Sequence, residues 1–165
     1  MALSVATLAA CIWESPERRS ARLSAIAMLA ETRARVPQFR EDTLVREGGG
    51  TRIEFHAWFD GPRPAILHEN GRSGPASWSS HRLYLVDGRL LACTSSVHFG
   101  PGEAKFRVLE TTALFDAGGR PVQGGARHDG ERGFMKPRDS MVLRGMYEQF
   151  ARSVEEDLLA RRAAR

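Results

Sequence analysis

The sequence predicts an α+β fold: an antiparallel β-meander of five to six strands flanked by an N-terminal helix and a long C-terminal amphipathic helix. Three observations carry this. Apolar residues recur every three or four positions towards both ends of the chain, they alternate with period two through its middle, and Asp-Gly or Gly-rich turns punctuate the alternating part. At 165 residues the chain fits one domain, which can bury roughly 70% of its unfolded surface and needs no staples. The domain is expected to span residues 15–165, with residues 1–14 standing apart.

Those first residues form an apolar run ending in Leu8-Ala9-Ala10-Cys11. Small residues followed by a cysteine look like the lipobox of bacterial lipoproteins, and the resemblance implies lipid attachment at Cys11 and an envelope or periplasmic location. The run is far shorter than the roughly 20 residues of a spanning helix. No Lys or Arg precedes it, which a start codon placed too far downstream would explain. The alternative is a buried first helical turn in a cytoplasmic protein. With Cys11 lipidated, Cys93 is a lone thiol on a strand, expected to be buried and inert.

Ser15-Pro16-Glu17 is a helix start: Ser15 can cap, Pro16 suits the first helical position and Glu17 favours the positive end of the dipole. Leu23, Ile26, Ala27, Ala30 and Ala34 follow at helical spacing until Pro37 stops the helix near Val36. Residues 37–50, charged and ending in Gly48-Gly49-Gly50, read as a flexible connector. In 51–60, Ile53, Phe55, Ala57 and Phe59 alternate with Arg52, Glu54, His56 and Trp58, as in a half-buried strand. A turn at 61–64, a short strand at 65–68 and a second turn region at 70–76 come next.

Strands at 79–86 and 89–99 are joined by Asp87-Gly88, a two-residue link suited to a type I′ turn. Simple hairpin register pairs Leu85 with Leu90 and Leu83 with Ala92 on one face, and Tyr84 with Leu91 on the other. A strand at 105–116, a turn at 117–119 and a short edge strand at 121–123 complete the sheet, and 127–132 reads as a solvated loop. The central strands are apolar on both faces, so the second face needs a cover or a partner. Leu143, Met146, Tyr147, Phe150, Val154 and Leu158 mark the C-terminal helix, capped by Asp139 or Ser140, with ion pairs Glu148–Arg152 and Asp157–Arg161.

The units Leu83-Tyr84-Leu85-Val86-Asp87-Gly88-Arg89-Leu90-Leu91 and Ala113-Leu114-Phe115-Asp116-Ala117-Gly118-Gly119-Arg120-Pro121 are similar to each other. They resemble the Asp-Gly hairpins of uncharacterised secreted or lipoprotein-type bacterial proteins with a meander sheet. The resemblance covers roughly residues 50–125, implies an envelope protein, and implies no activity.

The formal charge of +4 and the pI of about 9.7 raise nucleic-acid binding as a reading. The arginines are scattered from Arg18 to Arg165, and Lys105 and Lys136 are the only lysines, which argues against a massed basic element. No P-loop, dinucleotide-binding glycine fingerprint, His-Glu-x-x-His helix, paired Cys-x-x-Cys or Gly-x-Ser-x-Gly elbow occurs, so no cofactor or metal is expected. The candidate acid-base residues are His56 with neighbouring Glu54, and His98 near Ser96 and Thr94 on a polar strand face.

The leading expectation is therefore a non-enzymatic binding or assembly module of the bacterial envelope. It is tethered through Cys11 and receives a protein or small molecule on the second apolar face of its sheet. The alternative is a small cytoplasmic or periplasmic enzyme or binder with a pocket between the sheet and the C-terminal helix.

Overall fold

The computed structural model describes residues 14–100, 107–133 and 135–164. Cys11 and the whole lipobox-like run lie outside the described residues. The chain is α+β, with eight antiparallel strands where the sequence suggested five or six. Helix α1 (Pro16–Arg35) and a 3-10 turn (Val36–Gln38) lead into β1 (Arg40–Gly48), β2 (Thr51–Asp60), β3 (Arg63–Ser73) and β4 (Ser77–Val86). Then come β5 (Arg89–His98), β6 (Val108–Phe115), β7 (Pro121–His128), β8 (Glu131–Gly133) and helix α2 (Pro137–Ala163). The strands pair in sequence order as one sheet. Among the described residues, no helix is long and apolar enough to cross a membrane.

The two strands missed by sequence are both weakly patterned. β1 lies in the expected connector, because only Leu44 of its nine residues is buried and its edge position leaves the alternation almost without apolar signal. β8 and the end of β7 fall in the expected solvated loop; Asp129 and Gly130, both at positive φ, form the hairpin between them. The segment taken as a turn region at 70–76 is mostly strand, β3 running on to Ser73.

The Ser15 hydroxyl accepts from the Arg18 N–H at 3.2 Å, so α1 starts as expected. α2 starts earlier than expected: Pro137 is its first residue, and Ser140 is instead buried against β7, where a Cβ on Gly124 would meet its Oγ at 3.1 Å. The expected pairs within α2, Glu148–Arg152 and Asp157–Arg161, give way to an intrahelical pair with Arg144 and to tertiary partners. Glu148 accepts from Arg144 and from the Leu90 backbone N–H, both at 2.9 Å, and Asp157 pairs with Arg46 of β1.

Each helix covers one face. α2 lies over a core containing Phe55, Leu67, Leu83, Leu90, Cys93 and Phe115, whereas α1 lies over Ile66, Tyr84, Leu91, Ala92, Leu114 and Val122. The covers are unequal. Ser140, Ala151, Val154 and Leu158 of α2 are buried, but in α1 only Ala25 is, and Leu23 and Ile26 stay 51% and 41% exposed.

The hairpin register departs from the simple one. Leu85 does face Leu90, but Tyr84 pairs with Ala92 and Leu83 with Cys93, because a bulge leaves Leu91 as an extra residue on β5. Similar shifts leave Ala65 extra on β3 and Val122 extra on β7. The bulges thus deliver Leu91 and Val122 to the α1 face, building an apolar seat for that helix.

A polar trough on the α1 face

Directly opposed residues of an antiparallel sheet share a face, so the register sorts the α1 face into transverse rows. The first row, Ile66, Tyr84, Ala92, Leu114 and Gln123, is largely apolar. The second is His56, His68, Arg82, Thr94, Thr112 and Gly125. The third is Glu54, Asn70, Ser80, Ser96, Glu110, Arg127 and Arg132. α1 packs on the first row, and the second and third form an open trough of about 820 Å³ running from His68 to Arg132.

Among the described residues, hydroxyls from Ser80, Thr94, Ser96 and Thr112 floor the trough, and Arg82, Arg127 and Arg132 line it against a single carboxylate, Glu110, which lies 4.0 Å from Arg127. Gly125 leaves a gap at its centre. A Cβ there would make only an ordinary 3.5 Å contact with Thr112 Oγ1, so a large side chain at this position would project into the trough.

His68 sits at one end, half-buried. Its pKa is lowered by burial first and by the charges of Arg82 and His56 second, so the ring is neutral at neutral pH. Arg82 only donates, and its NH2 lies 3.5 Å from Nδ1; the ring proton therefore belongs on Nε2, which donates to Ser80 Oγ at 3.1 Å. The Ser80 hydroxyl hydrogen is left to point elsewhere, as a donor for a solute.

His56 shares the second row but is engaged at both nitrogens, by Glu41 at 2.9 Å and Glu54 at 3.2 Å, with its ring 6.5 Å from that of His68. The sequence brought His56 and Glu54 together correctly; as a general base this histidine would first have to release a carboxylate. His98 lies one row beyond the third, stacked on the exposed Trp78 at 3.8 Å, its register partner. Glu54 and His98 do not meet.

A second polar cluster lies on the opposite face, beneath α2. The phenol of Tyr147 donates to His81 Nδ1 at 2.8 Å and is also bonded to Ser95, while His81 Nε2 is 3.9 Å from Glu69 Oε1, which accepts from Ser79 at 3.4 Å. Burial raises the Glu69 carboxyl, lowers the His81 imidazole and pushes the Tyr147 phenol up to about 12. Cys93, nearby in the same core, is a free thiol, buried as expected and pushed up to about 12 by that burial, which disfavours the reactive thiolate.

Of the five histidines open as general bases or ligands, the sequence favours His56 and His98 over His68 and His81, and it marks none of Arg82, Arg127, Arg132, Glu69 or Tyr147 as a site residue. The signal for the trough was the period-two polar series Ser80/Arg82, Thr94/Ser96 and Glu110/Thr112, which becomes a surface only once the register aligns the three strands. Among the described residues, no group of three or more His, Cys, Asp or Glu is placed to hold a metal ion.

Fold and site together define an α+β meander protein whose sheet is clamped by a helix on one face and holds an arginine- and hydroxyl-lined trough on the other. The chain matches no family model, no curated protein and no solved structure.

Proposed function

We propose that the protein is a non-catalytic binding module that holds a small, negatively charged solute in the trough on the α1 face. The observation that carries this reading is the composition of the trough: three arginines and four hydroxyls against one carboxylate, around a floor that Gly125 keeps clear. Guanidinium groups and hydroxyls are the donors that recognise carboxylates and phosphates. The neutral His68 ring holds Ser80 as a further donor.

Titration with butyl phosphate, followed by amide chemical shifts, tests this. The resonances of Thr94, Thr112 and Gly125 should move saturably. The double charge reversal Arg82→Glu/Arg127→Glu should weaken binding by at least about tenfold, roughly 1.4 kcal/mol, since each arginine contributes a charge-assisted hydrogen bond. Shifts that are absent, or that survive both the reversal and Gly125→Phe, would sink the reading.

The setting proposed for this module is the bacterial envelope, with Cys11 as a lipid anchor; Leu8-Ala9-Ala10-Cys11 supports it. Metabolic labelling with a palmitate analogue is expected to mark the full-length product and to be lost on Cys11→Ser. An unlabelled product would count against the tether while leaving the trough untouched.

A further inference from the structure

The trough does not end at α1. Thr94, Thr112 and Gln123, which line it, also line a second cavity of about 260 Å³ that runs beneath the helix. There the walls turn mostly apolar: Ile26 and Leu29 from α1, Ala92 and Leu114 from the sheet, with Arg33, which donates to the Tyr84 hydroxyl at 3.2 Å, as the polar exception. Ile26 and Leu29 are three residues apart and so present one stripe of the helix to this cleft. Ile26 remains 41% exposed, an apolar side chain left half in water where the cleft opens. α1 is also the lightly seated helix, with a single buried residue. A polar cavity lined by arginines thus joins, through three shared residues, an apolar cavity with an exposed lip.

We infer that the solute held in the trough is a single-chain amphiphile: its anionic head lies among Arg82, Arg127 and Arg132, and its hydrocarbon chain lodges in the cleft under α1. This rests on the trough being a binding site, and it adds the chemical class of the ligand. The cleft has the volume of about eight or nine waters at liquid density, enough for part of a medium-length chain. Head and tail requirements are separable. The arginines recognise a carboxylate or a phosphate alike, and the chain gains by leaving water, each buried methylene contributing about fourfold in affinity.

Calorimetric titration of the full chain below the critical micelle concentration, with decyl phosphate, decanoate, butyl phosphate and neutral octaethylene glycol monodecyl ether, tests the inference. Three or more buried methylenes should make decyl phosphate at least about 50-fold tighter than butyl phosphate. Ile26→Glu, a change on an exposed helix position, should remove most of that difference. The neutral ether should bind at least tenfold more weakly than decyl phosphate, and comparison with decanoate assigns the head as phosphate or carboxylate.

If butyl and decyl phosphate bind equally and Gly125→Phe abolishes both, the trough reading stands and the tail is overturned. A chain-length preference that Ile26→Glu does not reduce, or a neutral ether that binds as well as the phosphate, overturns it too. If neither phosphate binds, the trough itself is not a site and the inference falls with it.

Discussion

Phe55→Ala is expected to destabilise the protein by about 3–5 kcal/mol, a large part of the ~5–15 kcal/mol that holds a domain of this kind folded. Phe55 is fully buried at the centre of the α2 face. Its ring centroid is 5.5 Å from that of Phe150 on α2, and the Arg46 guanidinium lies 5.1 Å above it while pairing with Asp157 of the same helix. Truncation removes the hydrocarbon that joins sheet to helix and leaves a cavity that α2 cannot readily close, because Ala151, Val154 and Leu158 hold the helix in the same core. Leu23→Ala on α1 is the contrast: half its surface already faces water, and the loss should stay within about 0.5 kcal/mol. Urea unfolding of both variants measures the difference. Equal losses would mean that α1 is as firmly seated as α2, which would also remove the physical basis for a cleft that opens beside it.

The second large effect concerns the polar cluster beneath α2 and is a change in pH dependence. Burial raises the Glu69 carboxyl above 4.5, so the unfolded chain gives up this proton first and stability falls as pH rises from about 4.5 through the folded value. Its bond from Ser79 and the charge of Arg46 oppose the rise without reversing it. Burial lowers the His81 imidazole below 6.5, so the unfolded chain takes up this proton first and stability falls as pH drops from about 6.5 through the folded value. Between roughly pH 4.5 and 6.5 the two slopes oppose each other in the wild type.

Glu69→Gln leaves the hydrogen-bond acceptor for Ser79 and abolishes the carboxyl titration. The melting temperature is then expected to rise by roughly 2–4 °C at pH 7.5, the equivalent of about 1 kcal/mol in a chain of this size. It should match the wild type near pH 4, where both chains are neutral at position 69, and climb from pH 5 to 6.5 as the uncovered His81 contribution returns. Thermal melts across this range decide it. A variant less stable at pH 7.5 would show that the Glu69 carboxylate and His81, 3.9 Å apart, form a net stabilising ion pair.

How much of this was legible beforehand follows from the range over which each signal acts. Strand β2 was read to the residue, because Ile53, Phe55, Ala57 and Phe59 advertise a buried face by alternation alone, and the Asp87-Gly88 turn is a local requirement for positive φ. β1 was missed because one buried leucine makes no pattern. Leu83 and Tyr84 were assigned the wrong partners because a bulge is invisible to a count from the turn: Leu91 and Ala92 both face α1, which no strict alternation allows. Asp157 pairs with Arg46 of β1 instead of Arg161, and Glu148 takes Arg144 one turn earlier together with the Leu90 N–H; Arg46 and Leu90 are distant in sequence and only the fold brings them close.

The candidate site divides the same way. His56 and Glu54 were legible together because residues two apart on a strand share a face whatever the register. The trough was not, since His68, Arg82, Thr94, Thr112 and Gly125 become neighbours only when five strands align. The amino-acid sequence by itself determined that this protein is an α+β meander between two helices with apolar residues on both sheet faces, because helical and strand periodicity are written within a dozen residues. Only the tertiary structure decided that α2 clamps one face, that two bulges help seat α1 lightly on the other, and that polar rows beside it form a trough. Those outcomes depend on cross-strand register and on which helix meets which face, and neither is encoded within a single strand.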